Sequence, residues 1–165
     1  MRTNKCLLIA GLWTALGSIA FQVSAAVDAV RVKSIAQVEK SVVDKDGNKT
    51  RKRVPVETAV PATEVIYTTT FENITDKPVG NVVIDNPIPN SSAYRADSAF
   101  GKDFDIQFSA DAGRKYAPAA QLTVKGTDGK QRLALPTEYT NIRWTHRGPL
   151  LAGKAGEVGF RAVVN

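Results

Sequence analysis

Chemistry-bearing side chains are scarce in this sequence. It has one cysteine and one histidine, Cys6 and His146. Cys6 lies ahead of a long apolar run near the N-terminus, so everything beyond that run is free of thiols. No disulfide can form there, and no thiol can act as a nucleophile. One imidazole cannot supply the several histidines typical of zinc enzymes. There is no glycine-rich phosphate loop and no Gly-x-Ser-x-Gly elbow. Beyond residue 26 no stretch places apolar residues at helical spacing over three turns, which argues against a helical or α/β domain. No second apolar run approaches the roughly 20 residues that span a bilayer.

What is present begins with an export-type leader. Arg2 and Lys5 form a short positive region, Leu7 to Phe21 is apolar, and Val23-Ser24-Ala25-Ala26 offers small residues for a signal peptidase. The apolar run, about 15 residues, is short for a transmembrane anchor. A helical signal peptide over residues 1–25 is expected, cleaved after Ala25 or Ala26. The product would be exported, periplasmic or extracellular, or held at the cell surface, with no transmembrane segment left. Cys6 precedes the apolar core and is misplaced for lipid attachment. The formal charge of +6 falls to +4 without Arg2 and Lys5. Much of that excess sits in Lys49-Thr50-Arg51-Lys52-Arg53, with no stacking aromatic nearby. This is not the signature of a nucleic-acid protein. A solvated strand end is the plain reading; contact with anionic lipid or polysaccharide outside the cytoplasm is the sharper one.

The remaining chain is rich in β signals. Val30-Arg31-Val32-Lys33 alternates as a half-buried strand does, and the phase slips at Ser34-Ile35 as at a bulge. Asp46-Gly47 is a hairpin turn, with Arg51 to Thr58 returning and Pro55 keeping that strand at an edge. Asp44, Asp46 and Asn48 invite a calcium loop, but the glycine is misplaced and no glutamate closes it. Val60 to Pro89 reads as two antiparallel strands joined by a polar turn at Asn73 to Lys77. Further strands are expected at Phe104 to Ser109, Leu122 to Lys125, Arg132 to Leu135, Tyr139 to His146 and Val158 to Val164. Short strands with frequent turns point to an all-β fold. An immunoglobulin-like antiparallel sandwich over residues 60–165 fits best, with an added N-terminal β-hairpin over 26–59. The expected core is Val65, Tyr67, Val83, Ile106, Phe108, Ile142, Trp144, Phe160 and Ala162.

The run from Val65 to Pro89 resembles the conserved-repeat domain known as domain of unknown function 11. That family pairs a strand of the type "v-x-Y-x-i-x-v-x-N" with a following "a-x-N-V-v-i-x-D-x-l-P". Tyr67, Asn73, Asn81-Val82-Val83 and Pro89 fall on that pattern. Ile142-Arg143-Trp144, Gly148-Pro149-Leu150, Gly153 and Val158 to Ala162 resemble its closing portion, and together the match covers about Val60 to Val164. The resemblance implies an extracytoplasmic bacterial module, structural or adhesive, with no family-wide catalytic residues.

The residues themselves offer little catalysis. Asp103 and Asp105 would share the wet face of one strand, about 7 Å apart, a spacing that glycosidases can use. His146 could serve as a base. A small carbohydrate-binding or hydrolytic protein is therefore the alternative to a non-catalytic envelope module, which is the expected role. No catalytic, cofactor or metal residue is assigned. The N-terminal strand is expected to pair within its own chain; insertion into a neighbour's sheet, or self-association through strand edges, is the alternative.

Overall fold

The computed structural model describes residues 29–43, 45 and 47–165. The leader expected at 1–25, and Asp44 and Asp46 of the hairpin tip, lie outside the described residues. The strands are β1 Val30–Val43, β2 Lys49–Pro55, β3 Glu64–Asn73, β4 Val83–Pro87, β5 Ser92–Tyr94, β6 Phe100–Gly101, β7 Phe104–Ser109, β8 Thr123–Lys125, β9 Gln131–Leu133, β10 Asn141–His146 and β11 Ala155–Val164. A 3-10 turn at Pro136–Glu138 is the one helical element among the described residues.

β3 is the centre of the larger sheet. Its β-branched and aromatic residues suit a strand covered on both faces, and Val65, Ile66, Thr68, Thr69 and Phe71 are all buried. The sheet runs β2-β1-β3-β11-β5, with β6 also on β11, and the facing sheet runs β4-β10-β7. Strands β8 and β9 form a separate small hairpin. All the pairings are antiparallel. The molecule is an all-β antiparallel sandwich with an N-terminal β-hairpin at one edge. Its last strand, β11, lies in the larger sheet between β3 and β5, while the penultimate strand β10 is the middle of the smaller one.

Between the sheets lie Trp144, Ile142, Val158, Phe160 and Ala162, all essentially inaccessible. Aromatic rings bridge the layers: Phe71 meets Phe104 edge-on at 5.2 Å, and Trp144 lies 6.3 Å from Phe160. β11 carries glycine where another strand comes close. A Cβ on Gly159 would stand 2.5 Å from the Tyr67 carbonyl oxygen and 2.7 Å from the Phe100 ring, so no side chain fits there.

Three expectations are corrected. Val60 to Pro89 is not a hairpin, because β3 and β4 belong to opposite sheets. Residues 74–82 are too long for a tight hairpin loop. They cross between the layers, held by a Val79–Leu150 bridge and by the Asn73 amide. β1 has no bulge at Ser34, since its register against β3 runs unbroken from Val30↔Asn73 to Gln37↔Ile66. The mixed pattern arises because both faces of β1 are partly wet. Val83 is half exposed, while Val82 and Ile84 are buried. Three consecutive apolar residues carry no alternation from which to read the phase; the pairing of Ile84 with the buried Trp144 sets it.

β1 does two jobs in succession. Its first half pairs with β3 and belongs to the sandwich, so the segment before residue 60 is continuous with the main sheet. Its second half, from Gln37, pairs with β2 on the opposite side. Pairing is thus within the chain, and the β1–β2 ribbon leaves the body where the β3 ladder stops. Among the described residues no helix is long and apolar enough to cross a membrane.

Candidate functional site

The residues that the sequence offers for catalysis do not converge. His146 pairs with Phe104 and lies edge-on to its ring at 4.9 Å, on the inner face of the smaller sheet. Its Nδ1 is 3.0 Å from the Gly148 carbonyl oxygen. Asp105 points to the outer face, where the Arg147 guanidinium donates to it at 2.7 Å. Asp103 does not share that face as the alternation suggested. It precedes β7 in a turn with φ of 65°, so strand geometry does not reach it. Among the described residues, no group of three or more His, Cys, Asp or Glu could hold a metal ion.

The sandwich does gather two other polar clusters, one on each outer face. On the smaller sheet three side chains meet at Asp85. Tyr116 donates its hydroxyl to Asp85 at 2.5 Å, and Arg143 donates through Nε and Nη2 at 3.1 and 2.8 Å. Asn141 donates more weakly at 3.4 Å. The Arg143 guanidinium also stacks over the Tyr116 ring at 3.7 Å. Burial, then the hydrogen bond and charge of Asp85, push the Tyr116 hydroxyl up to about 12. A phenol held that way transfers no proton near neutral pH. The cluster pins the segment after β7 onto the sheet.

On the larger sheet Arg161 bridges two glutamates, donating to Glu64 at 2.6 Å and to Glu39 at 2.8 Å. Arg95 also pairs with Glu64, and Arg51 lies 3.6 Å from Glu39. The hydrogen bond from Arg161 holds Glu39 below its ordinary value. At Glu64 burial pulls upward, but hydrogen bonds from Arg161 and Arg95 outweigh it and the carboxyl is lowered too. This chain of three arginines and two glutamates sits two residues beyond the end of the β1–β3 ladder, and it ties the departing ribbon to the body.

An open apolar surface lies on the flank between β1 and β4. Asn86 of β4 donates to Thr69 Oγ1 on β3 at 2.8 Å, so β4 stacks over β3. Ser34 of β1 joins the same Thr69 hydroxyl at 2.8 Å. β1 lies beyond them and overhangs. Val30 and Val32 are on the inner face of the larger sheet, yet Val32 remains 52% exposed. A groove of about 270 Å³ runs between these valines and Val79 to Ile84, and a second of about 370 Å³ continues past Ser34 and Asn86. Both bordering strands are edges here, because β2 begins to pair only at Gln37 and β4 has β10 on one side alone. Sequence reading missed this flank. The alternation of Val30 and Val32 announces an apolar face, but only the positions of the sheets show that none of the described strands covers it. The chain matches no protein-family model and no curated protein.

Proposed function

We propose that this chain is a non-catalytic, exported interaction module of the bacterial cell envelope, and that it works by protein contact at the β1–β4 flank. The observation that carries the reading is the overhang: an inner-face valine half exposed above an apolar groove, between two strand edges. Edge strands present unpaired backbone groups to an added strand, and strand addition combines those hydrogen bonds with side-chain pockets. The leader-like N-terminus and the resemblance to domain of unknown function 11 support export and a structural or adhesive role. The engagement of Asp105, Asp85, Glu39 and Glu64 in ion pairs supports a non-catalytic one.

The test is a photo-crosslinking residue placed at Val32 in cells, with the same residue at the exposed Leu133 on the distant β8–β9 hairpin as control. A discrete protein adduct is expected at Val32 and not at Leu133. Val83→Lys, at the rim of the groove, should suppress the Val32 adduct without lowering the melting temperature. Equal labelling at both sites, or an adduct indifferent to Val83→Lys, overturns the assignment.

A further inference from the structure

The β1–β2 ribbon carries a charge pattern that the fold does not need. Between residues 39 and 53 the sequence holds six cations and three carboxylates. Every described residue from Lys40 to Arg53 is exposed. Among the described residues only Arg51 of these cations has an ion pair, the long one to Glu39. Lys40 stands directly opposite Lys52 in the register. A like-charged cross-strand pair weakens a ribbon, so this one opposes folding. Next to it, toward the turn, Val42 and Val43 are 36% and 60% exposed, one on each face of the ribbon. The chain has no aromatic residue between Phe21 and Tyr67, so the ribbon offers no platform on which sugars or bases could stack.

We propose that this ribbon is a membrane-contact arm that binds the phosphate headgroups of an anionic lipid bilayer. The ladder from Gln37↔Pro55 to Val43↔Lys49 extends about 20 Å from the body at the usual rise per residue. In the register Lys40, Val42, Thr50 and Lys52 share one face of the ribbon, and that face laid along the bilayer brings Val42 to the boundary between headgroups and acyl chains. Lys40 and Lys52 then lie beside it among the phosphates, while Lys49, opposite Val43, is on the other face. The ammonium groups that repel one another in solution share the phosphate field on the surface. Binding therefore relieves a strain that folding alone leaves in place. The Arg161 ion pairs hold the ribbon's base, so the arm is presented on a fixed root.

The experiment is co-sedimentation of the purified chain, in the form its cells accumulate, with large unilamellar vesicles. One set is phosphatidylcholine alone and the other is equal parts phosphatidylcholine and phosphatidylglycerol. Binding is expected only to the anionic vesicles, and it should fall steeply as salt is raised. Lys40→Ser with Lys52→Ser should weaken it about 30-fold, from the usual contribution of each basic residue at an anionic surface. The same double variant should melt no lower than the parent, because it removes a repulsion. Val42→Ser with Val43→Ser should weaken binding as well. Failure to bind anionic vesicles at low salt overturns the proposal. So does binding that the lysine variant leaves unchanged. Tight binding to dextran sulfate that is indifferent to the valine variant also overturns it, since that would mark a polyanion site without a membrane.

Discussion

Asn73 has its whole amide in use. Nδ2 donates to the carbonyl oxygens of Lys77 at 2.8 Å and Leu150 at 2.9 Å, and Oδ1 accepts from the Thr75 N–H and hydroxyl at 3.0 and 2.8 Å. The side chain is fully buried at the point where the chain leaves one sheet for the other. Asn73→Ala should cost about 2–4 kcal/mol, because four hydrogen bonds of a buried amide go and the Thr75 N–H loses its side-chain acceptor, as read from urea unfolding. Asn73→Asp should cost more at neutral pH and recover on acidification, since a charged carboxylate would face the same carbonyls. Tyr116 gives a spectroscopic counterpart. Asp85→Asn removes both the acceptor charge and its field, so the hydroxyl should titrate below its present value of about 12 and closer to 10. Ultraviolet titration against a Tyr116→Phe control would show it; an unmoved midpoint would mean that burial alone sets the value. Asn73 and Tyr67 stand out in the sequence as pattern residues. Asp85 and Tyr116 do not, because they are 31 positions apart and meet only through the smaller sheet.

Ribbon, arch and clamp are the elements that matter. The clamp at Arg161 makes a pH-dependent prediction whose sign is fixed by the lowered carboxyls of Glu39 and Glu64. The folded chain holds those protons less tightly than the unfolded chain does. Their contribution is therefore complete above the ordinary glutamate value of 4.5 and is lost as pH falls through the folded values. Arg161→Ala should destabilise the protein more at neutral pH than at acid pH. It should also speed amide exchange at Val38 to Ser41 while the β3–β11 ladder keeps its protection. Equal destabilisation at both pH values would show that Arg161 acts through its packed stem rather than through its charge. The β3–β4 arch marks where local reading stops. Both strands are legible from their composition, but their partners are not, since a turn sequence between two strands does not say whether the chain doubles back or crosses to the other layer.

At the scale of the whole molecule, function follows from a mismatch in width. The sheet containing β1, β3, β11 and β5 is broader than the β4-β10-β7 sheet that faces it. The surplus strand leaves both an open flank and a ribbon free to extend, and the two proposed contact surfaces lie on these. They separate experimentally: Val83→Lys should abolish the protein adduct at Val32 without changing vesicle binding, while the Lys40 and Lys52 variant should do the reverse. The sequence alone determined the all-β class, strands over residues 104–109, within 139–146 and over 158–164, the edge character of the strand containing Pro55 and the scarcity of catalytic groups. These rest on alternation, turn chemistry and composition, which act over a few neighbouring residues. Only the tertiary structure decided that β3 and β4 part company, that Val82 rather than Val83 faces the core, and that Val32 overhangs. Each depends on which strand lies beside or above another, and that is settled by burial between distant segments rather than by any local preference.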